Sequence, residues 1–298
     1  MTFRPVTLAA PAKLNLYLHV TGKRADGYHL LDSLVAFTDV HDTLTLTPAP
    51  GLTFTADGPF AGGFGDEDPA TNLVVRAALA LAEATGNTVQ AAFHLTKNLP
   101  VASGIGGGSA DAAACLRGLA RLWEIEAAAP VVLDVAAKLG SDIPVCVVGQ
   151  STFFGGIGTE LAPAPKLPEA GLLLVNPGIG LSTPSVYRAR QGAFTPQMRF
   201  DVAPANVDAL VGLLAERRND LTDAAVSLVP RIDTVIKAIG VLAGCKLARM
   251  SGSGATCFGI FENVAAARRA GDALKPAHPG WWVAPGRLLA DANSLDGG

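Results

Sequence analysis

Apolar and polar residues alternate from residue 13 onward. Leu14, Leu16, Leu18 and Val20 fall on one side of an extended chain, and Lys13, Asn15, Tyr17 and His19 on the other. This predicts a strand with Lys13 and Asn15 on one face. A turn rich in Gly and charge follows over 21–27, then Tyr28-His29. Short strands with threonine on their outer faces are predicted over 43–47 and 52–55. The period turns helical over 72–85, where Gly86 ends the helix, and 89–97 returns to strand. Four glycines stand in the five residues 104–108 and lead into an alanine-rich helix predicted from Ser109 to about Trp123. Pro130 opens the next helix at a first helical position and Gly140 stops it. Residues 151–154 read as strand.

Residues 162–168, with three prolines in seven, form the best linker. Beyond it the pattern predicts strand over 172–176 and helices over 184–190, 205–216 and 222–242. Strand 246–250 follows, then a second glycine loop at 251–254. Strand 256–261, helix 263–274 and strand 281–284 complete the reading. Interleaved strands and helices place the chain in the α/β or α+β class, with two domains, 1–163 and 164–298.

Composition narrows the function classes. An apolar share of 49% against 16% charged gives ample core material and excludes wholesale disorder. The net charge of −3 and the lack of a basic stripe speak against nucleic acid as a partner. No apolar run approaches the roughly 18 residues that span a bilayer, so no membrane role is expected. The first residues alternate like a strand and show no secretory pattern, which leaves a cytoplasmic location as the expectation. Cys115, Cys146, Cys245 and Cys257 fall in no CxxC pair, so neither a zinc site nor a disulfide framework is indicated.

The glycine loop at 104–108 carries the strongest chemical signal. Glycine admits positive φ and has no Cβ, so backbone N–H groups converge there. The helix that follows aims its free N–H groups and positive dipole end at the loop, which makes an anion site. No Lys follows as a Walker A loop requires, and Ser109 stands where the Rossmann spacing needs a third glycine. Asp142, in Gly140-Ser-Asp-Ile-Pro-Val, is placed to expose a carboxylate after a helix stop. The same spacing fits a helix N-cap with Pro144 just inside. Tyr28-His29 offers an aromatic face and an imidazole for a base, or equally a turn anchor with a solvated histidine.

These features together resemble the GHMP kinase superfamily. Pro100, Val101, Ala102, Ser103, Gly104, Ile105, Gly106, Gly107, Gly108, Ser109 and Ala110 match its phosphate loop. Pro11-Ala-Lys-Leu-Asn-Leu precedes that loop and Ser251-Gly-Ser-Gly-Ala-Thr-Cys follows it, as the superfamily's other two motifs do. Arg24-Ala-Asp-Gly-Tyr-His-Leu-Leu, Asn98-Leu-Pro, Gly140-Ser-Asp-Ile-Pro-Val and Ser182-Thr-Pro point to the branch whose substrate carries a cytidine diphosphate. Ile105 replaces a usual Leu. Ala110 replaces a frequent second Ser and so removes one phosphate or metal contact.

The resemblance implies a ribosomal-S5-domain-2-like N-terminal half and a ferredoxin-like C-terminal half, with the site in the cleft between them. It implies an ATP-dependent kinase acting on the 2-hydroxyl of a cytidine-diphosphate-linked methylerythritol, on the mevalonate-independent isoprenoid route. Asp142 and Lys13 then form the catalytic pair, and residues 100–110 bind ATP. Asn15, Tyr28, His29, Lys97, Thr183 and Tyr187 contact the substrate, Tyr187 standing where Phe is common. Mg²⁺ is expected with ATP; its protein ligands stay open, with Ser109 and Asp111 the candidates. The second glycine loop is expected to support the first. Two competitors remain: another GHMP kinase acting on homoserine, mevalonate or a sugar, and a non-catalytic RNA-binding module. Tyr28-His29 and the missing Gly-Arg-x-Gly-Glu-His start weigh against the former, the missing basic excess against the latter.

Overall fold

In the computed structural model, residues 4–64, 69–158 and 160–296 are described. The alternating segment lies within β1 (Val6–Lys23), which pairs antiparallel with β2 (His29–Pro48) to make a hairpin far longer than the short strands the pattern predicts. Alternation fades over Leu30–Asp42 because β2 is buried on both faces through its middle, so no polar side exists to read.

Register shifts in β1 between Pro11 and Lys13 and between Asn15 and Tyr17 correct the expected single apolar face. Each shift changes which side chains point to which face. Leu8, Ala10, Leu18 and Val20 join one core, whereas Ala12, Leu14, Leu16 and Tyr17 join the other. Lys13 and Asn15 stay together on the stretch between the shifts.

The remaining strands are β3 (Thr53–Asp57), β4 (Ala91–Thr96), β5 (Thr152–Gly156), β6 (Glu160–Pro163), β7 (Gly171–Asn176), β8 (Leu247–Met250), β9 (Cys257–Phe261) and β10 (Trp282–Leu289). Along one path the sheet runs β3-β4-β2-β10-β7-β9-β8; β1 and β5 also pair with β2, and β6 with β5. β10 continues to residue 289, well past the predicted 284. It pairs with β7 from Trp282 to Arg287 and with β2 at Leu288 and Leu289, so it joins the two halves. The strand predicted over 281–284 stops just before Pro285 and Gly286. In the fold Gly286 is a crossing point: a Cβ there would lie 2.5 Å from Asp39 Oδ1.

Among the helices, α1 (Leu73–Thr85) has the predicted stop at Gly86, in the left-handed region with φ 69°, and Asn72 accepts from the Val74 N–H as its cap. α2 is Gly107–Leu122, α3 Pro130–Leu139 and α4 Ile143–Val148. In the second half lie α5 (Thr183–Ala189), α6 (Val207–Ala215), α7 (Thr222–Leu228), α8 (Arg231–Gly240) and α9 (Val264–Leu274). The single helix predicted over 222–242 is two, because Pro230 caps α8 and cannot continue α7.

α2 is buried along most of its length against β1 and α1. Arg117 pins it: Nε donates to Asp296 Oδ2 at 3.1 Å, Nη2 to Ala9 O at 2.7 Å and Nη1 to Cys146 O at 3.2 Å. Asp296 also accepts the Ala9 N–H at 2.9 Å. Asp296→Ala strands a buried guanidinium and an N–H together. It is expected to cost about 2–4 kcal/mol, read as a lower urea midpoint at unchanged m value.

Candidate active site

Lys13 enters the site directly after the first register shift of β1. Its N–H donates to Ile105 O at 2.9 Å, which ties the strand to the glycine loop. Its ammonium is nearly buried and reaches Asn15 Oδ1 at 3.1 Å and Asp142 Oδ2 at 2.9 Å. Asp142 sits at the N-cap position of α4, yet its side chain makes no cap hydrogen bond. The carboxylate turns to Lys13 instead and stays 32% exposed. The carboxylate is thus free of the helix end and partly open to solvent.

Asn15 lies beside Lys13 on the same strand. It is buried, its amide donates to Ser33 Oγ at 2.8 Å, and its carbonyl oxygen accepts from Lys13. It therefore holds Lys13 in place.

The loop enters α2 at Gly107, two residues before the predicted start at Ser109, so two glycines form the helix's first turn. Gly106 is the N-cap in the left-handed region, φ 67°, where a side chain would be strained and would press on Lys13. The first N–H groups of α2 have no intrahelical acceptors. A Cβ at Gly108 would meet nothing within 4 Å, so this turn faces open space. Pro100, Ser103, Ile105 and Ala110 are buried and build the loop from behind, Ser103 Oγ donating to Pro100 O at 2.6 Å. Val101 and Ala102 form its exposed rim.

The second glycine loop is fastened to the first. Ser251 Oγ accepts the Asn15 N–H at 3.1 Å and donates to Gly104 O at 3.2 Å. The Thr256 N–H donates to Ser103 O at 3.0 Å. A Cβ on Gly104 would lie 2.6 Å from Gly254 O and 2.7 Å from Ser251 O, so the two backbones pack without room for a methyl group. Asn219 holds the far side, donating from Nδ2 to Met250 O at 2.9 Å and Gly252 O at 2.8 Å. Sequence reasoning singled out the loop of Ser251 but gave Asn219 no role. Asn219 lies outside every motif and is recognisable only from its long-range partners.

On the opposite wall, Thr183 Oγ1 and Ser253 Oγ share a hydrogen bond of 2.8 Å. The ring of His29 stacks on that of Tyr187, centroids 5.1 Å apart. Tyr28 is 64% exposed beside them. Burial, with Lys23 and Arg190 nearby, lowers the pKa of His29 and keeps its imidazole neutral at pH 7. Burial and the charge of Asp142 raise that of Tyr187, whose hydroxyl stays protonated.

Lys97 stands apart from these residues. Its ammonium does not enter the cleft; it is buried behind the loop between Asp42 and Asp111 Oδ2, the latter at 2.6 Å. Asp111 is buried there too, with its Oδ2 on Lys97. Among the described residues, no group of three or more His, Cys, Asp and Glu could hold a metal. The four cysteines are free.

Ser251→Ala leaves the Asn15 N–H and Gly104 O without their buried partner. A loss of about 1–3 kcal/mol in urea unfolding is expected.

The family described as GHMP kinases N terminal domain matches residues 72–150, and that described as GHMP kinases C terminal matches 204–279. A 4-diphosphocytidyl-2-C-methyl-D-erythritol kinase of Paramagnetospirillum magneticum is 51% identical over 284 residues, covering 95% of this chain and 99% of its own. Its namesake in Rhodospirillum rubrum is 50% identical, over 95% and 92%. A crystal structure of 4-(cytidine 5'-diphospho)-2C-methyl-D-erythritol kinase superimposes with a TM-score of 0.77 at 34% identity, covering 98% of this chain and all of that one. Half of all positions shared over nearly the full length, with both GHMP regions in order, places this chain in the 4-diphosphocytidyl-2-C-methyl-D-erythritol kinase family of the GHMP kinases.

Proposed function

We propose that the protein transfers the γ-phosphoryl group of ATP to the 2-hydroxyl of 4-diphosphocytidyl-2-C-methyl-D-erythritol. The observation that carries this is the Lys13–Asp142 pair, 2.9 Å apart and half-open, beside the free N-terminus of α2. The names and identity of the relatives support the substrate. In this reading the chain works as two halves, 1–163 and 164–298, that meet where the two glycine loops pack.

The first turn of α2 receives the phosphates, because its N–H groups and dipole end favour an anion. Tyr28 gives an exposed face for the cytosine to stack on, and neutral His29 gives one donor and one acceptor for its edge. Asp142 accepts the proton of the attacking hydroxyl. The hydroxyl oxygen takes the γ-phosphoryl group and ADP leaves. Lys13 fixes the carboxylate and offsets charge on the transferring group.

Mg²⁺ neutralises charge on the β- and γ-phosphates when bound. With Asp111 turned inward, Ser109 is the side chain left at the loop to meet it. That donor set fits a metal held largely by the nucleotide's own phosphates.

Asp142→Asn keeps the shape but cannot accept the proton. Its kcat is expected to fall about 10²–10⁴-fold with both KM values within about tenfold. More than about a tenth of wild-type kcat in that variant would sink Asp142 as the base. Gly108→Val adds a branched side chain in open space. Calorimetric titration is expected to show loss of ATP binding while the urea midpoint stays near wild type. Unchanged ATP affinity would remove the loop from the reading.

A further inference from the structure

Three charged side chains meet behind the phosphate loop, outside the cleft. Asp42 lies on β2, Lys97 directly after β4 and Asp111 in the second turn of α2. Their side chains are 0%, 2% and 3% exposed. Asp42 Oδ1 accepts the N–H groups of Asn98 and Leu99 at 2.5 and 2.7 Å, which fixes the chain that leads into Pro100. Asp42 Oδ2 accepts from Lys97, and Lys97 donates to Asp111 Oδ2 at 2.6 Å. One ammonium thus spans a sheet carboxylate and a helix carboxyl.

Its height is set closely. A Cβ on Gly107, the first residue of α2, would lie 3.1 Å from Lys97 Nζ. The ammonium therefore packs directly beneath the turn whose N–H groups face the cleft. A bare cation under a helix N-terminus is unfavourable, and two carboxyl groups beside it remove that penalty. Asp111 Oδ1 has no hydrogen-bond partner, unusual for a buried charged oxygen.

We propose that Lys97 and Asp111 are positioning residues for ATP: the Asp42–Lys97–Asp111 cluster fixes the first turn of α2 against the sheet, and so the place of the N–H groups that receive the phosphates. This rests on the reading of that turn as the ATP site. None of the three touches Tyr28, His29 or Tyr187, so the effect is confined to the nucleotide. Displacement by a fraction of an ångström at such a site is costly, since about 1 Å is worth on the order of 10²-fold.

Asp111→Ala cuts the tie to the helix and leaves the Lys97–Asp42 pair intact and neutral. In steady-state kinetics the KM for ATP is expected to rise at least about tenfold, with the KM for the cytidyl substrate within about twofold. Asp111→Asn keeps an oxygen that accepts from Lys97 and is expected to restore the ATP KM to within about threefold. A purely structural role would lower the active fraction and leave the KM values alone. If Asp111→Ala does not fold, Asp111→Ser, which leaves space for a water, carries the same test. An ATP KM within twofold of wild type in the folded variant, equal rises for both substrates, or no recovery in Asp111→Asn overturns the proposal. Failure of the underlying reading looks different: Gly108→Val would then keep wild-type ATP affinity.

Discussion

Where Gly104 faces Gly254 there is no room for a methyl group, and the arrangement of the site depends on that contact. It brings a loop from residue 104 against one from residue 254 with only backbone between them. Side chains could not make so close a joint, because their rotamers would add slack at each position. From this seam the N–H of Lys13 is held on Ile105, that of Asn15 on Ser251, and that of Thr256 on Ser103. Strand, phosphate loop and second loop therefore share one frame. The reacting groups inherit their positions from it, and the sheet carries the frame across both halves through β10.

Local rules made much of this legible in the sequence. Gly86 and Pro130 mark helix ends through φ alone, and a glycine run before an alanine-rich segment marks an anion site through backbone geometry. Of these, the helix ends and the helix start at the glycine run are seen in the fold, and they depend on a few neighbouring residues. The register shifts of β1 do not: nothing in Ala12–Val20 says where the ladder to β2 slips, and the slip decides which core Leu16 and Leu18 enter. Pro285 and Gly286 mislead for the same reason, since their suitability for a strand depends on β2 crossing at Gly286.

Polar residues divide along the same line. Lys13 was readable as a pocket residue because it interrupts an apolar strand, and Asp142 because it follows a helix stop. For Asp142 the spacing fits a cap and a base equally well; in the fold its side chain makes no cap bond and meets Lys13. Lys97 was assigned to the substrate by resemblance, and geometry moved its ammonium behind the loop. The partners responsible, Asp42 and Asp111, lie 55 and 14 residues away in the chain. A lysine close to a glycine loop in sequence reads the same whether it faces the ligand or supports the loop from beneath.

The two lysines show how one residue type serves two purposes in one site. Lys13 meets a carboxylate that keeps 32% of its surface in solvent, as the proposed proton transfer at that pair requires. Lys97 meets two carboxyl groups that solvent does not reach, and screening there is weak. That cluster is closed to solvent and ties the sheet to the helix beneath the loop. The half-open pair leaves its charge at the surface where the proposed chemistry takes place. Burial depth sorts the two roles, and the fold sets that depth by placing Asp142 at the lip of α4 and Asp111 on the inner side of α2.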